Sequence, residues 1–241
     1  MQDVRKQQEK DHARVILGSE DRVLGWSGPA GQARLERRTA LAAEKACLDE
    51  EKLVIELGCG TGSSSALWWD RCGRLVALDI SEMLIRAGRE RGSSAAHVTA
   101  DAEQLPFEEG CADAVIGNSV LHHLDVDAAF SEIRRVLKHG GRFAFAEPNM
   151  LNPQIAIQKN IPFIKRLVGD TPGERAFVRF SLSRKLRVLG FGDVEVVPFD
   201  FLHPSLPAKL IPVFGWAGRV IERIPVVREA AGSLLISGRK P

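Results

Sequence analysis

No apolar run in this 241-residue chain approaches the roughly 18–20 residues that a membrane-crossing helix needs, so no helical span is expected. Cysteine is scarce. The four thiols, at 47, 59, 72 and 111, show no metal-type pairing, and they read as reduced cysteines of a cytoplasmic protein, with neither a disulfide frame nor a metal site. A secretory leader is not expected either, because Met1 to Lys10 is polar throughout. Internal repeats and low-complexity tracts are missing as well. What remains is ordinary for a soluble globular protein: 44% hydrophobic and 27% charged residues in 26.4 kDa, enough for one α/β domain with additions.

Neither sign of charge dominates the whole, yet the two are unevenly placed. Residues 1–150 carry 19 Lys/Arg against 24 Asp/Glu, whereas residues 151–241 carry 14 against 7. The basic third is where an acidic partner would dock: a phosphorylated substrate, an anionic lipid surface or a nucleic acid. An ordinary solvated basic face explains it equally well.

The stretch that organises the chain is Leu53-Val-Ile-Glu-Leu-Gly-Cys-Gly-Thr-Gly62. Its first half reads as a short buried strand, apolar apart from Glu56. Glycines then stand at 58, 60 and 62, around Cys59 and Thr61, where a strand turns into a helix and backbone can approach a ligand closely. The spacing is G-x-G-x-G, with Ser63 where a dinucleotide fingerprint needs its last glycine. An acid two residues before the first glycine would repel a phosphate and suits a cationic ligand. A second apolar strand, Arg74 to Asp79, ends in an acid placed to hydrogen-bond both hydroxyls of a ribose. Ser81 then caps a helix, with Ile80 and Met83 available to cover an adenine face.

With these residues the chain resembles the class I S-adenosylmethionine-dependent methyltransferases, whose acid-x-G-x-G-x-G motif is matched by Glu56, Gly58, Gly60 and Gly62, and whose acidic second-strand motif is matched by Asp79. The resemblance implies S-adenosyl-L-methionine as cofactor. It also implies a three-layer, Rossmann-like, seven-stranded sheet, mostly parallel with the last strand antiparallel, carrying an N-terminal helical lid. Asp101-Ala-Glu-x-Leu-Pro-Phe107 looks like the family's adenine-binding motif, with Asp101 accepting from the exocyclic amine and the Ala102 amide donating to a ring nitrogen. Glu56 would meet the cationic methionine end, directly or through water.

The remaining elements follow in order. Residues 1–12 read as a frayed polar tail, about His12 to Leu48 as helix-prone, and Gln32 to Cys47 as a helix with Leu35, Thr39, Ala42, Ala43 and Ala46 near one face. Gly25 to Gly31 breaks the helical pattern and carries Trp26, read as an apolar latch for the lid or a substrate contact. Ser63 to Asp70 predicts a short helix packed by Leu67, Trp68 and Trp69. Strand four, Cys111 to Gly117, leads into Asn118-Ser-Val-Leu-His-His-Leu124, outside the carboxyl ends of the strands, where open α/β sheets bind ligands. Asn118 and Ser119 are therefore cofactor-side candidates, and His122 and His123 are candidates for a residue facing the substrate. Asp127 to Leu137 predicts an amphipathic helix ended at Lys138–Gly141, followed by strand five from Gly141 to Glu147. Glu147 at its tip is a second candidate for substrate binding or proton transfer. Strand six is expected at Asp193–Val197 and the last strand at Ala231–Ser237.

Two insertions, 152–169 and 199–227, depart from the minimal fold. Both mix aliphatic and aromatic residues with Lys or Arg and almost no acid. Ile157, Ile161, Ile164 and Val168 form one helical stripe, with Lys159, Lys165 and Arg166 elsewhere and Pro162 splitting the helix. Leu210, Val213, Phe214, Val220, Ile221 and Ile224 form a looser one. Such segments either wall a greasy substrate pocket or lie on an anionic membrane, which would make the protein peripheral to its inner face. The expected organisation is one domain over 1–241: a cap at 1–48, a cofactor-binding core at 49–150 and a substrate-side part at 151–241. The expected activity is methyl transfer to a small-molecule or lipid-linked acceptor, with oxygen favoured over nitrogen or carbon and a histidine as base. Three alternatives differ in class. A nicotinamide dehydrogenase has the wrong glycine spacing, and a non-catalytic binding module has no need of an intact cofactor loop. A nucleic-acid methyltransferase would be expected to carry Asn/Asp-Pro-Pro-aromatic where Asn118-Ser-Val-Leu121 stands. The acceptor and the oligomeric state are not written in the sequence.

Overall fold

A computed structural model describes residues 2–18, 25–91, 94–161, 163–164 and 176–241. Seven strands form one sheet: β1 (Leu53–Leu57), β2 (Arg74–Asp79), β3 (Ala96–Thr99), β4 (Ala112–Asn118), β5 (Leu137–Pro148), β6 (Gly192–Phe199) and β7 (Ser233–Arg239). Their order is β3-β2-β1-β4-β5-β7-β6. β1 to β5 pair in parallel, and β7 runs antiparallel to both neighbours. The order reverses between β1 and β4, so a crevice opens above their carboxyl ends.

Helices cover both faces: α1 (Gln2–Gly18), α2 (Pro29–Lys45), α3 (Ser65–Trp68), α4 (Glu82–Glu90), α5 (Val126–Val136), α6 (Pro153–Asn160), α7 (Arg179–Val188) and α8 (Ile211–Ile221). Each face of the sheet has its own core. On one, Ala42, Ala43 and Ala46 of α2 pack with Trp68 against Val54, Ile116, Ala144 and Leu235. Small residues let α2 lie close to the sheet, and the Trp68 indole donates to the Thr39 carbonyl at 2.9 Å. On the other face Phe130 of α5 meets Phe143, Phe145 and Phe191 edge-on, with centroids 5.2, 6.0 and 5.8 Å away. This is the expected three-layer architecture.

Several local expectations need correction. Residues 2–12, read as a frayed tail, are the first part of the helix Gln2–Gly18, for reasons that lie in the site. Trp69 stays 43% exposed, because the chain tightens into a 3-10 turn after Trp68 and turns it outward. Lys138–Gly141 does not end α5 in a glycine cap. β5 begins at Leu137, opposite Ala112, and a register shift before Ala114 accommodates the extra residues. The stripe predicted in the first insertion is not a buried one: Ile157 is 51% exposed, α6 stops at Asn160, and Ile161 is also exposed. Pro162, Lys165, Arg166 and Val168 of that reading lie outside the described residues.

Glu56 is the one acid of β1, and it is buried beneath the glycine loop, where its Oε2 accepts from Ser65 Oγ at 2.6 Å. Burial pushes its carboxyl up to about 8, only partly opposed by the Ser65 hydroxyl. Folding therefore takes up a proton between the ordinary carboxylate range and pH 8. That contribution is complete at acid pH and is lost as pH rises toward 8, by up to about 1.4 kcal/mol per unit. Urea unfolding of Glu56→Gln should show a flatter pH dependence between pH 5 and 8 than the parent, with the variant gaining relative stability at the alkaline end. An identical slope in both proteins would refute a buried, neutral Glu56.

Candidate functional site

The loop after β1 takes left-handed backbone at all three glycines, with φ of +65°, +53° and +83° at 58, 60 and 62. Two of them serve different purposes. A Cβ on Gly58 would stand 2.3 Å from Val120 Cγ2, so this glycine lets the β4 loop close in. A Cβ on Gly60 would meet nothing within 4 Å, because it would project into the crevice. Asp79 ties the loop to the next helix. Its Oδ2 accepts from the Gly60 amide at 3.0 Å and its Oδ1 from the Ser81 amide at 2.8 Å. Burial raises the Asp79 carboxyl above its ordinary value, against the pull of those two amides and of His123.

A cavity of about 400 Å3 fills the crevice. Gly58, Cys59, Gly60, Thr61, Asp79, Ile80, Asp101, Ala102, Asn118, Ser119, His122 and His123, all expected at the site, line it together. Four expected residues do not. Glu56 lies under the loop and Gly62 behind it, against Gly88. Met83 points outward, 42% exposed, and Leu84 lines the cavity in its place, one residue further round α4. Glu147 is wholly buried and supports His122 from behind.

That support is close. His122 Nδ1 lies 2.7 Å from Glu147 Oε2, while Glu147 Oε1 accepts from the Val120 and Leu121 amides, each at 2.8 Å. Burial alone would raise the Glu147 carboxyl, but the His122 bond and charge, with the two amides, outweigh it and hold the group below its usual range. With Nδ1 donating to a carboxylate, Nε2 is the imidazole nitrogen that keeps its lone pair.

α1 covers the opening through ion pairs. Lys6 Nζ is 2.6 Å from Asp101 Oδ2 and 3.4 Å from Glu103 Oε2, and Arg5 pairs with Glu103 and donates to the His123 carbonyl at 3.1 Å. Glu9 Oε2 stands 3.1 Å from His123 Nδ1. These contacts come from distant parts of the chain, which is why a polar segment without apolar periodicity gave no helix signal.

Sequence reasoning also missed Arg38. It donates to Asn118 Oδ1 (2.7 Å), Ser119 Oγ (3.0 Å), Ser233 Oγ (2.6 Å) and the Ala146 carbonyl (2.7 Å). Burial, then the Arg34 charge, lower it to about 10, so it remains a cation at neutral pH. Its signal was available: a charge three residues after Leu35 and four before Ala42 sits on the apolar face of α2. Trp26, read as an apolar latch or substrate contact, lies in the cavity wall under the Arg38 and Arg34 guanidiniums, 5.3 and 5.6 Å from its ring centre. Asp79, Asp101 and Glu103 thus line an acidic end of the cavity, the last two paired with Arg5 and Lys6 of α1, and Arg34, Arg38 and Lys159 line a basic end, where Arg34 is paired with Asp200 at 2.8 Å.

Known proteins agree with this geometry. A family model described as a methyltransferase domain matches residues 55–145, from β1 into β5. A demethylmenaquinone methyltransferase of Thermobifida fusca is 32% identical over 186 residues, 68% of this chain and 78% of that protein. A malonyl-[acyl-carrier protein] O-methyltransferase of Herminiimonas arsenicoxydans is 43% identical over 97 residues, which are 39% of this chain and 36% of its own length. The putative methyltransferase solved with the Trm112 activator of Haloferax volcanii superposes with a TM-score of 0.68, over 97% of this chain and 96% of that one, at 22% identity, a likeness of fold. The family's cofactor is S-adenosyl-L-methionine, and the open space at Gly60 and the acidic end of the cavity fit a cationic ligand of that kind. By sequence, by topology and by the build of its glycine loop, this enzyme belongs to the class I S-adenosylmethionine-dependent methyltransferases.

Proposed function

We propose that the chain acts as one catalytic unit over 1–241 and methylates an oxygen of a small-molecule or lipid-linked acceptor. The observation that carries the oxygen assignment is the His122–Glu147 pair at the cavity wall. A hydroxyl acceptor must lose a proton as its lone pair forms the new bond, whereas an amine or an acceptor already ionised, a carboxylate included, needs no protein base. His122 Nε2 takes that proton, and Glu147 stabilises the imidazolium that results. His123, whose Nδ1 faces Glu9, belongs to the lid latch instead.

At the acidic end, Asp79 serves the ribose hydroxyls, while Asp101 and the Ala102 amide serve the adenine between Ile80 and Leu84. The backbone of Gly58, Cys59 and Gly60 packs on the methionine portion, with Thr61, Asn118 and Ser119 around it. Glu56, Gly62 and Met83 contribute indirectly, by holding the loop and α4. Bound S-adenosylmethionine supplies an already electrophilic methyl group, so the protein's part is orientation and the proton.

The basic end selects the acceptor. Among the described residues Arg38 has only neutral oxygens as hydrogen-bond partners, so its charge favours an acceptor with a carboxylate, phosphate or enolate near the reacting atom. The names of the two relatives, for demethylmenaquinone and for O-methylation of malonyl-[acyl-carrier protein], support acceptors carried on a lipid or a carrier. A nucleic-acid substrate remains the runner-up, favoured only by the basic C-terminal third.

Two sets of variants test these assignments. Asp79→Ala should lose about 1–3 kcal/mol of cofactor affinity by calorimetry. Gly60→Val should abolish binding while unfolding near the parent temperature, since its Cβ meets no protein atom and the left-handed backbone adds strain of about 1–2 kcal/mol. Gly58→Val should instead cost the fold. Retained cofactor affinity in both Asp79→Ala and Gly60→Val would sink the proposed placement.

For the proton, S-adenosylhomocysteine release over a panel of hydroxylated acceptors should fall by roughly 10²–10⁴ in His122→Ala. Cofactor affinity should be nearly unchanged, and His123→Ala should do much less to turnover. Equal, minor losses in the two histidine variants would mean that the pair is structural and that the acceptor needs no base.

A further inference from the structure

α8 is built inside out. Its inward stripe is Ile211, Gly215, Gly218 and Glu222; Gly218 is buried, close to Phe201, and Glu222 accepts a two-pronged bond from Arg37 at 2.6 and 2.7 Å. The large apolar residues point the other way. Val213 is 62% exposed and Trp216 63%, with Phe214 and Val220 also exposed. Leu210 before the helix and Ile224, Val226 and Val227 after it continue the exposed apolar surface. Scattered exposed apolar residues need no explanation, but a helix that turns glycine inward and tryptophan outward does.

The charges beside this face are of one sign. In 200–232 after Asp200, the only acids are Glu222 and Glu229, and both are held in ion pairs, by Arg37 and by Arg179 and Arg228. Lys209, Arg219 and Arg223 are exposed, and among the described residues none has a carboxylate at ion-pair distance. Around the helix, Arg219 and Arg223 border the apolar arc on the side of Trp216.

Topology sets this surface beside the active cavity. β6 ends at Phe199 and β7 starts at Ser233, and Ser233 pairs with Phe199 on one side and with Pro148, the end of β5, on the other. That is the carboxyl edge on which the cavity opens, and Ser233 itself lines it. No helix among the described residues is long and apolar enough to cross a membrane, and α8 has only 11 residues.

We infer that the outward face of α8 docks on an anionic lipid bilayer, with Trp216, Phe214 and Val213 in the headgroup–acyl boundary and Lys209, Arg219 and Arg223 on the headgroups. Uncompensated cations beside the apolar arc favour a negatively charged surface over a second copy of this chain, whose own cations would face them. Tryptophan and phenylalanine flanked by Lys and Arg are the side chains suited to that boundary. The arrangement deepens the lipid-linked reading of the acceptor but does not require it.

Flotation of the full chain with vesicles of phosphatidylglycerol and phosphatidylcholine, against phosphatidylcholine alone, tests the inference. The protein should float with the anionic vesicles at low salt and lose most of that binding as salt shortens the screening length. Phe214→Ser with Trp216→Ser should abolish flotation. Lys209→Glu, Arg219→Glu and Arg223→Glu together, which leave the apolar face intact, should weaken it by roughly 100-fold or more, at about fivefold for each cation lost. Cofactor affinity, measured on the same variants, should not change, which separates a failure of docking from a failure of the methyltransferase site. The inference is overturned if the parent stays unfloated with anionic vesicles or binds both vesicle types equally. It is also overturned if the parent sediments as a dimer that Trp216→Ser dissociates, because α8 would then be a contact between copies.

Discussion

Four short bonds from one guanidinium hold the acceptor end of this enzyme together. Arg38 reaches from α2 to the end of β4 at Asn118 and Ser119, to the β5 carbonyl of Ala146 and to the start of β7 at Ser233. Those tips belong to β4, β5 and β7, which lie side by side in the sheet next to the point where the strand order reverses. Burying a charge without a carboxylate at contact distance costs several kcal/mol. The cost is offset by charge-assisted bonds to oxygens that would otherwise be left unsatisfied at the strand ends. Lysine could not replace it, because a single ammonium cannot fork to four acceptors set on three elements. The same cation remains in the cavity wall, so the device that closes the fold also sets the sign of the acceptor subsite.

The opposite end of the cavity has the opposite sign, and the lid reads that sign. α1 carries Arg5 and Lys6 onto Asp101 and Glu103, and these pairs account for much of its hold on the body. Glu103 also receives the Asp125 amide at 2.7 Å, which fixes the start of α5. Asp101 holds the lid lysine and, in the proposed placement, would also meet the adenine. A carboxylate has lone pairs for both partners, so in that placement closure of α1 and occupation of the adenine site would be coupled through one side chain. His123 joins the lid on the other side through Glu9. The lid therefore touches the acidic residues directly and His122, the proposed base, only through its neighbour.

What the sequence disclosed and what it hid divide along a physical line. The glycine loop, Asp79 and the Asp101 turn were legible because a backbone that must approach a ligand admits few residue types at fixed spacing. The sheet order followed from the family those residues resemble. α1 was hidden because its stability comes from ion pairs with residues about a hundred positions away, which leave no local period. Met83 and Leu84 were confused because they are adjacent on the first turn of α4, where one residue is a rotation of about 100°. Glu56 and Glu147 were recognised as important but placed one layer too near the ligand. A strand-end acid reads the same whether it points into the crevice or under it.

The insertions show the deeper limit of pattern. Hydrophobic periodicity reveals that a helix has an apolar face, and the usual inference turns that face inward. In α8 the inward stripe is instead two glycines, an isoleucine and a glutamate, and the clue lay in which residues were small. Gly218 permits the backbone to come close to the body beside Phe201, and Glu222 is committed to Arg37 of α2. Once those contacts are made, no choice remains for Val213, Trp216 and Val220: the geometry of the helix sends them outward. The acceptor-side cation and the outward apolar face are then both tied to α2, through Arg38 and through the Arg37–Glu222 pair. An acceptor whose tail lies in a bilayer would meet the basic end of the cavity from the side on which α8 presents that face.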